Sequence, residues 1–363
     1  MTDGPARVSR AWLPFRTPIE TSAGTWTGRV SWLLRLEAPD GRAGWGEALL
    51  DDPAHAAVLE ALFDDLVATG LPPAPALVGR AGPAGRAFRA ALDGARLDVL
   101  AQGPEARSAG RPDVGVNALI GALDTTATVE AARAAVDAGF RTLKLKVGEV
   151  EAAGSLAQRI GAVRSAVGAE IALRVDANGT WDAAGADERL AALLPFGLQY
   201  VEQPLPPGDV EGAASLRARA GVALAIDEGC ASLAEARVVL DAGAADVLVV
   251  KPARVGGPVA VAEIALHAAE RGVPVVISSL WESGVGLAVA LACAAALPDV
   301  PGWPAATRDH GLATADLLED DLVLEPLVME AGRLRAPYGP GSGGLGVAVD
   351  EPALERYADE GES

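Results

Sequence analysis

The stretch AARAAVDAGFRTLKLKVG, residues 131–148, carries the pattern that decides the fold. An alanine-rich helical segment ends at Gly139, and a short strand-like run follows it. Glycine just past a helix adopts the left-handed conformation that ends the helix, at no steric cost. The same cadence recurs at intervals of 22 to 29 residues, the length of one helix–loop–strand unit, with glycines at 139, 168, 197, 221, 243 and 272. We call these six residues the cadence glycines.

The repeat predicts a parallel sheet whose two faces are both covered, because its strand segments are largely apolar. With VGVNALIG (114–121) as the first strand, about seven or eight units result, which favours a (β/α) barrel over residues 113–320. The preceding part, 1–112, differs: VSWLLRLE (30–37) and RAGWGEALL (42–50) read as antiparallel strands joined by a turn. Residues 321–363 return to strand-and-turn character. The sequence thus predicts a small α+β domain, a barrel and a C-terminal return.

Composition excludes several classes of function. The 363 residues carry a formal net charge of −19, so the chain lacks the basic face that nucleic acid requires. The longest apolar run, 285–297, is too short to span a bilayer, and the N-terminus shows no signal pattern. Cys230 and Cys293 form no disulfide framework and suit a reducing compartment. We expect a cytoplasmic protein with no membrane contact, and no feature indicates an obligate protein partner.

Five charged residues stand where five of the predicted strands end. Charge inside a parallel sheet is costly unless a site uses it, and barrel enzymes place their chemistry at the C-terminal ends of the strands. Each of the five follows its cadence glycine by five to eight residues: Lys146, Asp176, Glu202, Asp227 and Lys251. The spacing predicts that they form one ring at the barrel rim.

Strand parity places further residues on the same side. Side chains alternate with period two, so Lys144 shares a face with Lys146, and Arg174 and Asn178 share a face with Asp176. We expect both sets to point into the barrel.

Three carboxylates on adjacent strands make an oxygen-rich site for a hard cation such as Mg²⁺. The three histidines, His55, His267 and His310, lie on none of these strands, which disfavours zinc or non-haem iron. The alternative is that each acid forms an ion pair with a neighbouring arginine.

Lysine usage is itself informative, since the chain has 27 arginines and only three lysines. A buried lysine near other cations can have its pKa lowered toward neutrality and act as a general base. The positive charge of Lys144 would lower the pKa of Lys146. Lys251 would approach a substrate from the opposite side. The alternative, that the lysines only neutralise the carboxylates, stays open and is compatible with catalysis.

The motifs KLKVG, RVDANG, VEQP, IDEG and VVKPARVGG, in this order and spacing, resemble those of the enolase superfamily, and within it the muconate cycloisomerase-like subgroup. The resemblance implies a modified (β/α)7β barrel with an N-terminal α+β capping domain that the C-terminal segment completes. It implies Mg²⁺, with Mn²⁺ as a substitute, bound by Asp176, Glu202 and Asp227. It implies Lys146 and Lys251 as acid/base residues, supported by Lys144, Arg174, Asn178 and Glu228.

Within the subgroup, ISSLWESGVGL (277–287) and DHGLATADLLEDDLV (309–323) resemble segments of the o-succinylbenzoate synthase family. That resemblance implies a lyase of menaquinone biosynthesis, which dehydrates 2-succinyl-6-hydroxy-2,4-cyclohexadiene-1-carboxylate to 2-succinylbenzoate. N-succinylamino acid racemase remains the alternative, because both reactions begin with the same proton abstraction. Dipeptide epimerases carry Asp-x-Asp at the eighth strand, from which Asp309-His310-Gly311 departs, and mandelate racemases carry a histidine on the seventh, which 273–287 lacks. A non-catalytic binding barrel is the third hypothesis.

Substrate specificity is expected in the capping loops 15–29 and 45–55. Arg16, Thr21 or Arg29 could meet a small carboxylate substrate, although a plain surface role is the alternative for each arginine. Ser278 and Ser279 could donate hydrogen bonds to a succinyl group, or only satisfy the local backbone.

Overall fold

A computed structural model describes residues 5–21, 24–103, 112–121, 124–147, 151–339 and 341–358. These residues form an antiparallel N-terminal sheet, a parallel seven-stranded sheet, and a four-stranded sheet built from the middle and the end of the chain. In the described ranges, no helix is both long and apolar enough to cross a membrane.

The N-terminal sheet is antiparallel, with β1 (Ala6–Thr21), β2 (Gly24–Glu37) and β3 (Ala43–Ala48) in chain order. Three helices follow it: α1 (Ala56–Thr69), α2 (Pro75–Arg80) and α3 (Gly82–Ala101). The prediction of an open loop over 15–29 is wrong for most of that range, because β1 and β2 continue as a hairpin up to Thr21 and from Gly24. A strand hairpin holds its side chains more rigidly than a loop, which bears on the expected substrate contacts.

The WGEA motif at 45–48 owes its glycine to close helix packing. A Cβ at Gly46 would lie 1.9 Å from the carbonyl oxygen of Ala91, and one at Gly44 would lie 2.3 Å from that of Ala95, so α3 packs directly on the backbone of β3. Because side chains alternate along a strand, Glu47 projects from the opposite face, toward the barrel.

In the described part of the chain, nine strands form the barrel in chain order: seven of them make one parallel sheet, and the first and the last pair in parallel with each other. They are β4 (Asp113–Val116), β5 (Ala118–Ile120), β6 (Thr142–Lys146), β7 (Ala172–Asp176), β8 (Tyr200–Glu202), β9 (Leu224–Ile226), β10 (Val247–Val250), β11 (Val275–Ile277) and β12 (Asp309–His310).

Hydrogen bonds beyond the strand ends close this sheet into a barrel. Gly311 N donates to the carbonyl of Ile277 at 2.8 Å, and Ser279 N donates to the carbonyl of Gly311 at 2.9 Å, which joins β12 to β11. On its other side β12 pairs in parallel with β4, which runs on into β5. The predicted α/β barrel with an N-terminal capping domain is confirmed.

Helices cover the outside of the barrel, as the cadence predicts. They are α4 (Thr125–Asp137), α5 (Ala153–Val167), α6 (Ala183–Leu193), α7 (Val210–Arg217), α8 (Leu233–Asp241), α9 (Pro252–Val255), α10 (Pro258–Ala269) and α11 (Gly284–Ala295). Every cadence glycine lies one to four residues past a helix, and all six have a positive φ, between 58° and 96°. A residue with a side chain rarely adopts that conformation, so glycine is required there.

The C-terminal segment returns to both parts of the molecule. Strands β13 (Val328–Glu330) and β14 (Arg333–Arg335) form a hairpin, and β14 pairs with β4. After α12 (Glu351–Arg356), the carbonyl of Tyr357 accepts a hydrogen bond from Trp12 N of the capping sheet at 2.9 Å. The domain boundaries at 112/113 and 320/321 stay a prediction.

Candidate active site

The five charged strand-end residues lie on one edge of the barrel. Lys146, Asp176 and Glu202 are the last residues of β6, β7 and β8, and Lys146 pairs with Asp176 and Asp176 with Glu202 across the sheet. Asp227 and Lys251 directly follow β9 and β10. We call these five residues the rim. In sheet order, a lysine stands at each end of a row of three acids.

Lys144 lies two residues before Lys146 in β6, on the same face of the strand, and forms ion pairs with two of the acids. Its Nζ is 2.9 Å from Asp176 Oδ2 and 2.6 Å from Glu202 Oε1, and all three side chains are buried. Burial lowers the pKa of Lys144, but the attraction of Asp176 and Glu202 outweighs it and leaves that pKa well above its usual value. Lys144 is therefore a permanent cation between the two carboxylates.

The other end of the row is held by two cations. Lys251 Nζ forms an ion pair with Asp227 Oδ2, and Arg254 Nη1 lies 3.1 Å from Asp227 Oδ1. Burial raises the pKa of Asp227, but Lys251 and Arg254 outweigh it and lower that pKa below its ordinary range. Arg254 also binds Asp51 of the capping domain, with Nε 2.9 Å from Asp51 Oδ2. Sequence reasoning gave Arg254 no role, although it stands in the quoted VVKPARVGG motif.

Lys146 has a different environment. Its half-buried Nζ donates to Asn178 Oδ1 at 3.1 Å, and the Asn178 amide in turn donates to Glu228 Oε1 at 3.2 Å. Asn178 has φ 46° and its backbone N–H donates to Asp176 Oδ1 at 3.0 Å, which fixes the side chain beside Lys146. Unlike Lys144 and Lys251, Lys146 makes no ion pair with any described residue.

Two polar residues behind the rim hold the strands in place. The fully buried Arg174 donates to Asn117 Oδ1 at 2.9 Å, to the carbonyl of Asp309 at 2.8 Å and to Gln199 Oε1 at 2.7 Å, which ties β7 to the first and last strands. Gln203, which sequence reasoning missed, accepts from Asp227 N at 3.1 Å through its Oε1. Gln203 therefore acts on the backbone of the rim, whereas Arg174 links side chains and backbone of neighbouring strands.

The donor set of the rim fits a hard divalent cation. The atoms available to bind a metal are all carboxylate oxygens. The buried Oε2 atoms of Glu202 and Glu228 have no hydrogen-bond partner. Burial, with repulsion from Asp176 and Asp227, raises the pKa of Glu202 although Lys144 opposes it. In the described ranges, no three His, Cys, Asp or Glu side chains already form a metal-binding cluster. Lysines instead neutralise the acids, while the two oxygens without a partner leave donor capacity that a cation can use.

The expected substrate contacts on the seventh strand divide into two cases. Ser279 Oγ donates to Glu282 Oε2 and accepts hydrogen bonds from Trp281 N at 2.8 Å and Thr314 Oγ1 at 2.9 Å. Its hydroxyl donates within the barrel to the Glu282 carboxylate, and its expected donation to a substrate stays a prediction. Ser278 is buried beside Gly311 and stays a predicted contact.

The expected contacts in the capping domain also need revision. Arg29 is only 2% exposed and donates to the carbonyls of Leu280 and, at 3.1 Å, Leu50, so both the surface role and the substrate role are replaced by a structural one. Arg16 is exposed near the end of β1 and stays a prediction. Thr21 ends β1, and its side chain lies outside the described part of the chain.

Two further kinds of buried group titrate far from neutrality. His310 Nδ1 accepts from Ile277 N at 3.0 Å, and burial, with the nearby cations Arg174 and Arg308, lowers its pKa to about 3. Burial raises the pKa of both buried cysteines, Cys230 and Cys293, so neither is a ready nucleophile.

Comparison with known proteins agrees with this architecture. Residues 127–353 match the family model described as "Enolase C-terminal domain-like". The N-succinylamino acid racemase of Amycolatopsis sp. is 30% identical over 361 residues, covering 94% of this chain and 93% of that protein. The chain therefore belongs to the enolase superfamily, as its motifs predicted.

Relatives with higher identity match a shorter part of the chain. The o-succinylbenzoate synthase of Thermobifida fusca is 39% identical over 226 residues, covering 62% of this chain and 67% of that enzyme. Among solved structures, muconate lactonizing enzyme from Pseudomonas fluorescens, complexed with muconolactone, has a TM-score of 0.83 at 23% identity, covering 99% of each chain. A dipeptide epimerase from Enterococcus faecalis, complexed with Mg and a dipeptide, has a TM-score of 0.80 at 24% identity, covering 96% of this chain and 100% of that one. These two structures establish the fold.

Proposed function

We propose that this protein is an o-succinylbenzoate synthase, which removes a proton α to a carboxylate and expels hydroxide from the neighbouring ring carbon. The observation that carries the proposal is the rim itself, where Lys146 and Lys251 flank the row Asp176, Glu202 and Asp227. The 39% identity to the Thermobifida fusca enzyme supports this reaction over others that the superfamily performs.

Asp176, Glu202 and Asp227 would hold Mg²⁺, and Mn²⁺ would substitute as a similarly hard ion. The all-oxygen donor set and the partnerless Oε2 of Glu202 support this assignment. A related fold, the Enterococcus faecalis epimerase, was solved with Mg. When bound, the metal would stabilise the negative charge that develops on the substrate carboxylate as the α-proton leaves.

The remaining chemistry falls to the lysines. Lys146, free of carboxylate partners among the described residues and oriented by Asn178, would take the α-proton on Nζ. The electron pair left on carbon forms the new ring double bond as the C–O bond breaks, and protonated Lys146 returns its proton to the leaving hydroxide, which departs as water. Lys251, which lies against Asp227, would stabilise the ring from the other side.

A coupled assay with 2-succinyl-6-hydroxy-2,4-cyclohexadiene-1-carboxylate, run with and without EDTA, tests the proposal. We expect turnover that depends on Mg²⁺ and is lost in Lys146→Ala. Turnover that is unaffected by EDTA would contradict the metal assignment, and the absence of turnover with saturating Mg²⁺ would contradict the reaction itself.

N-succinylamino acid racemisation is the second candidate. The Amycolatopsis racemase matches 94% of this chain, and lysines at both ends of the acid row suit a proton transfer from one face of a substrate to the other. The kcat/KM for the cyclohexadiene substrate, measured beside that for an N-succinylamino acid, separates the two reactions. Exchange of the substrate α-proton in D₂O without turnover of either would favour a third reaction of the same subgroup.

The proposal carries a cellular context with it. An o-succinylbenzoate synthase would act in menaquinone biosynthesis, in the cytoplasm, on a small carboxylate substrate. The net charge of −19 disfavours nucleic acid as a partner.

A further inference from the structure

One strand of the capping domain contacts the barrel through every second residue. In the segment 47–51, Glu47 binds the start of α11, Leu49 packs with Ala253 and Leu280, and Asp51 binds Arg254. The period of two places all three side chains on the barrel-facing side of β3 and its continuation. We call Glu47, Leu49 and Asp51 the docking row.

Glu47 is the most heavily bonded member of the docking row. Its carboxylate is 4% exposed and accepts four hydrogen bonds, three of them from the segment that follows the seventh barrel strand. Oε2 accepts from Ser283 Oγ at 2.6 Å and from Gly286 N at 2.9 Å, and Oε1 accepts from Ser283 N at 3.1 Å and Ser31 Oγ at 2.7 Å. A carboxylate at a helix N-terminus is favourable because the free N–H groups point toward it.

The segment that Glu47 holds lies at the barrel rim and is under backbone strain. Trp281 has φ 63°, a left-handed conformation that is costly for a bulky side chain and persists only when its surroundings enforce it. Arg29 binds the carbonyl of the preceding residue, Leu280, and Glu47 binds Ser283 two residues further on. Both clamps come from the capping domain, and the Trp281 ring packs edge-on against Phe15 of β1 at 5.6 Å.

We propose that Glu47 is a positioning residue: from the capping domain it fixes segment 278–283 at the rim and so sets the shape of the substrate-binding mouth. The inference rests on the proposed function, since that segment carries Ser278, the predicted contact to the succinyl group. Glu47 itself contacts no rim residue, so its effect must pass through the segment.

A matched pair of variants separates positioning from general stabilisation. Asp321 Oδ1 accepts from Gly284 N at 2.8 Å, so it caps the same helix as Glu47, but from the C-terminal segment. Glu47→Gln and Asp321→Asn each remove one buried negative charge from the start of α11. We expect Glu47→Gln to raise KM for the succinyl substrate by ~10-fold or more while kcat changes little, because a hydrogen-bonded charge is lost away from the reacting atoms. Asp321→Asn should leave KM unchanged.

A third variant approaches Glu47 from the helix side. A Cβ on Gly286 would lie 2.7 Å from Glu47 Oε2 and equally close to Cβ and Cγ of Glu282, so Gly286→Ala displaces the Glu47 carboxylate without altering its charge and also crowds segment 278–283 directly. We expect a rise in KM at least as large, and a double variant with Glu47→Gln that is less impaired than the sum of the two single ones, because both disturb the contact between Glu47 and the helix start. If Glu47→Gln fails to fold, Ser31→Ala removes only the Oε1 bond on the capping side and should show a smaller rise.

Hydrogen exchange of the 278–286 backbone provides a readout that needs no turnover. We expect faster exchange across 278–283 in Glu47→Gln and not in Asp321→Asn. If the two variants changed KM and exchange equally, Glu47 would contribute only to general stability, and the inference would be overturned. If the wild-type protein turns over no succinyl substrate, the proposed function fails on its own, and the exchange pattern still decides whether Glu47 holds the segment.

Discussion

The rim gathers the residues at the ends of five parallel strands and the docking row uses alternate residues of one segment, and the two also differ in how far their partners lie along the chain. Rim neighbours come from consecutive repeat units, as with Asp227 and Lys251, 24 residues apart. Docking-row partners come from the other domain, as with Glu47 and Ser283, 236 residues apart, and Asp51 and Arg254, 203 apart. A repeated architecture therefore brings charges together at positions that the sequence predicts. Contacts between domains also bring charges together, but no local sequence pattern predicts where.

Lys146→Ala should produce the largest effect, because it removes the proposed base from the rim. We expect kcat to fall by ~10²–10⁴-fold, the usual contribution of general acid–base catalysis, with Mg²⁺ affinity unchanged since Lys146 makes no described ion pair with the acids. Steady-state kinetics and a metal titration measure both quantities. Lys146→Arg is the matched control: a guanidinium is always protonated near neutrality and cannot take the α-proton, so this variant should be equally inactive. A kcat within about 10-fold of the wild-type value in either variant would remove Lys146 as the base.

Lys144→Met should affect folding rather than proton transfer. The variant leaves Asp176 and Glu202 buried without their shared cation, which costs about 3–5 kcal/mol when one partner of a buried pair is lost. Urea unfolding at fixed pH measures the change. Mg²⁺ should restore part of the lost stability, because it binds the native carboxylates and not the unfolded chain. Equal losses with and without Mg²⁺ would argue against a metal at these two acids.

Leu49→Ala tests the docking row without touching a charge. Leu49 is 2% exposed between Ala253 and Leu280, and truncating such a side chain costs about 2–5 kcal/mol. We expect a lower urea midpoint with an unchanged Mg²⁺ affinity, since the rim is built within the barrel. Leu77→Ala, at a residue 54% exposed, is the control and should change stability by less than about 0.5 kcal/mol. A loss of metal affinity in Leu49→Ala would show that rim and docking row are not separable.

His310→Asn should show the smallest effect at neutral pH and a larger one in acid. Burial lowers the native pKa of His310 to about 3. Below about pH 6.5 the unfolded chain therefore binds a proton at this histidine, and the native state does not. The contribution of His310 to stability is therefore full above that pH and is lost as the pH falls toward 3. The Asn variant keeps an acceptor for Ile277 N but cannot titrate, so its stability should fall less steeply over this window. Parallel stability curves for the two proteins from pH 7 to 4 would refute the shift.

Much of the barrel was predictable because its signals are local and repeated. The cadence glycines need a positive φ whatever surrounds them, and all six have one. The strand-end charges follow those glycines by five to eight residues. The position of Asp176, Glu202 and Asp227 along one edge of the barrel therefore follows from the parallel sheet. The hairpin over 15–29 was less predictable, since its threonines and glycines also suit a loop.

Residues that act across domains escaped sequence reasoning for a physical reason. Nothing near Arg29 in the chain reveals that the carbonyls of Leu280 and Leu50 will accept hydrogen bonds from its guanidinium. Arg254 stood inside a recognised motif, but its bridge between Asp227 and Asp51 depends on where the capping domain sits.

The sequence by itself determined which residues end helices, which strand faces point inward and which charges lie at the barrel rim. It could do so because glycine conformation and the two-residue period of a strand act over short distances. Only the tertiary structure decided how those charges are shared: Lys144 between two acids, Lys251 on one, Lys146 on none that is described. That division depends on burial and on side-chain contacts between separate strands. Lys144 and Lys146, two residues apart on one strand, therefore have unlike partners.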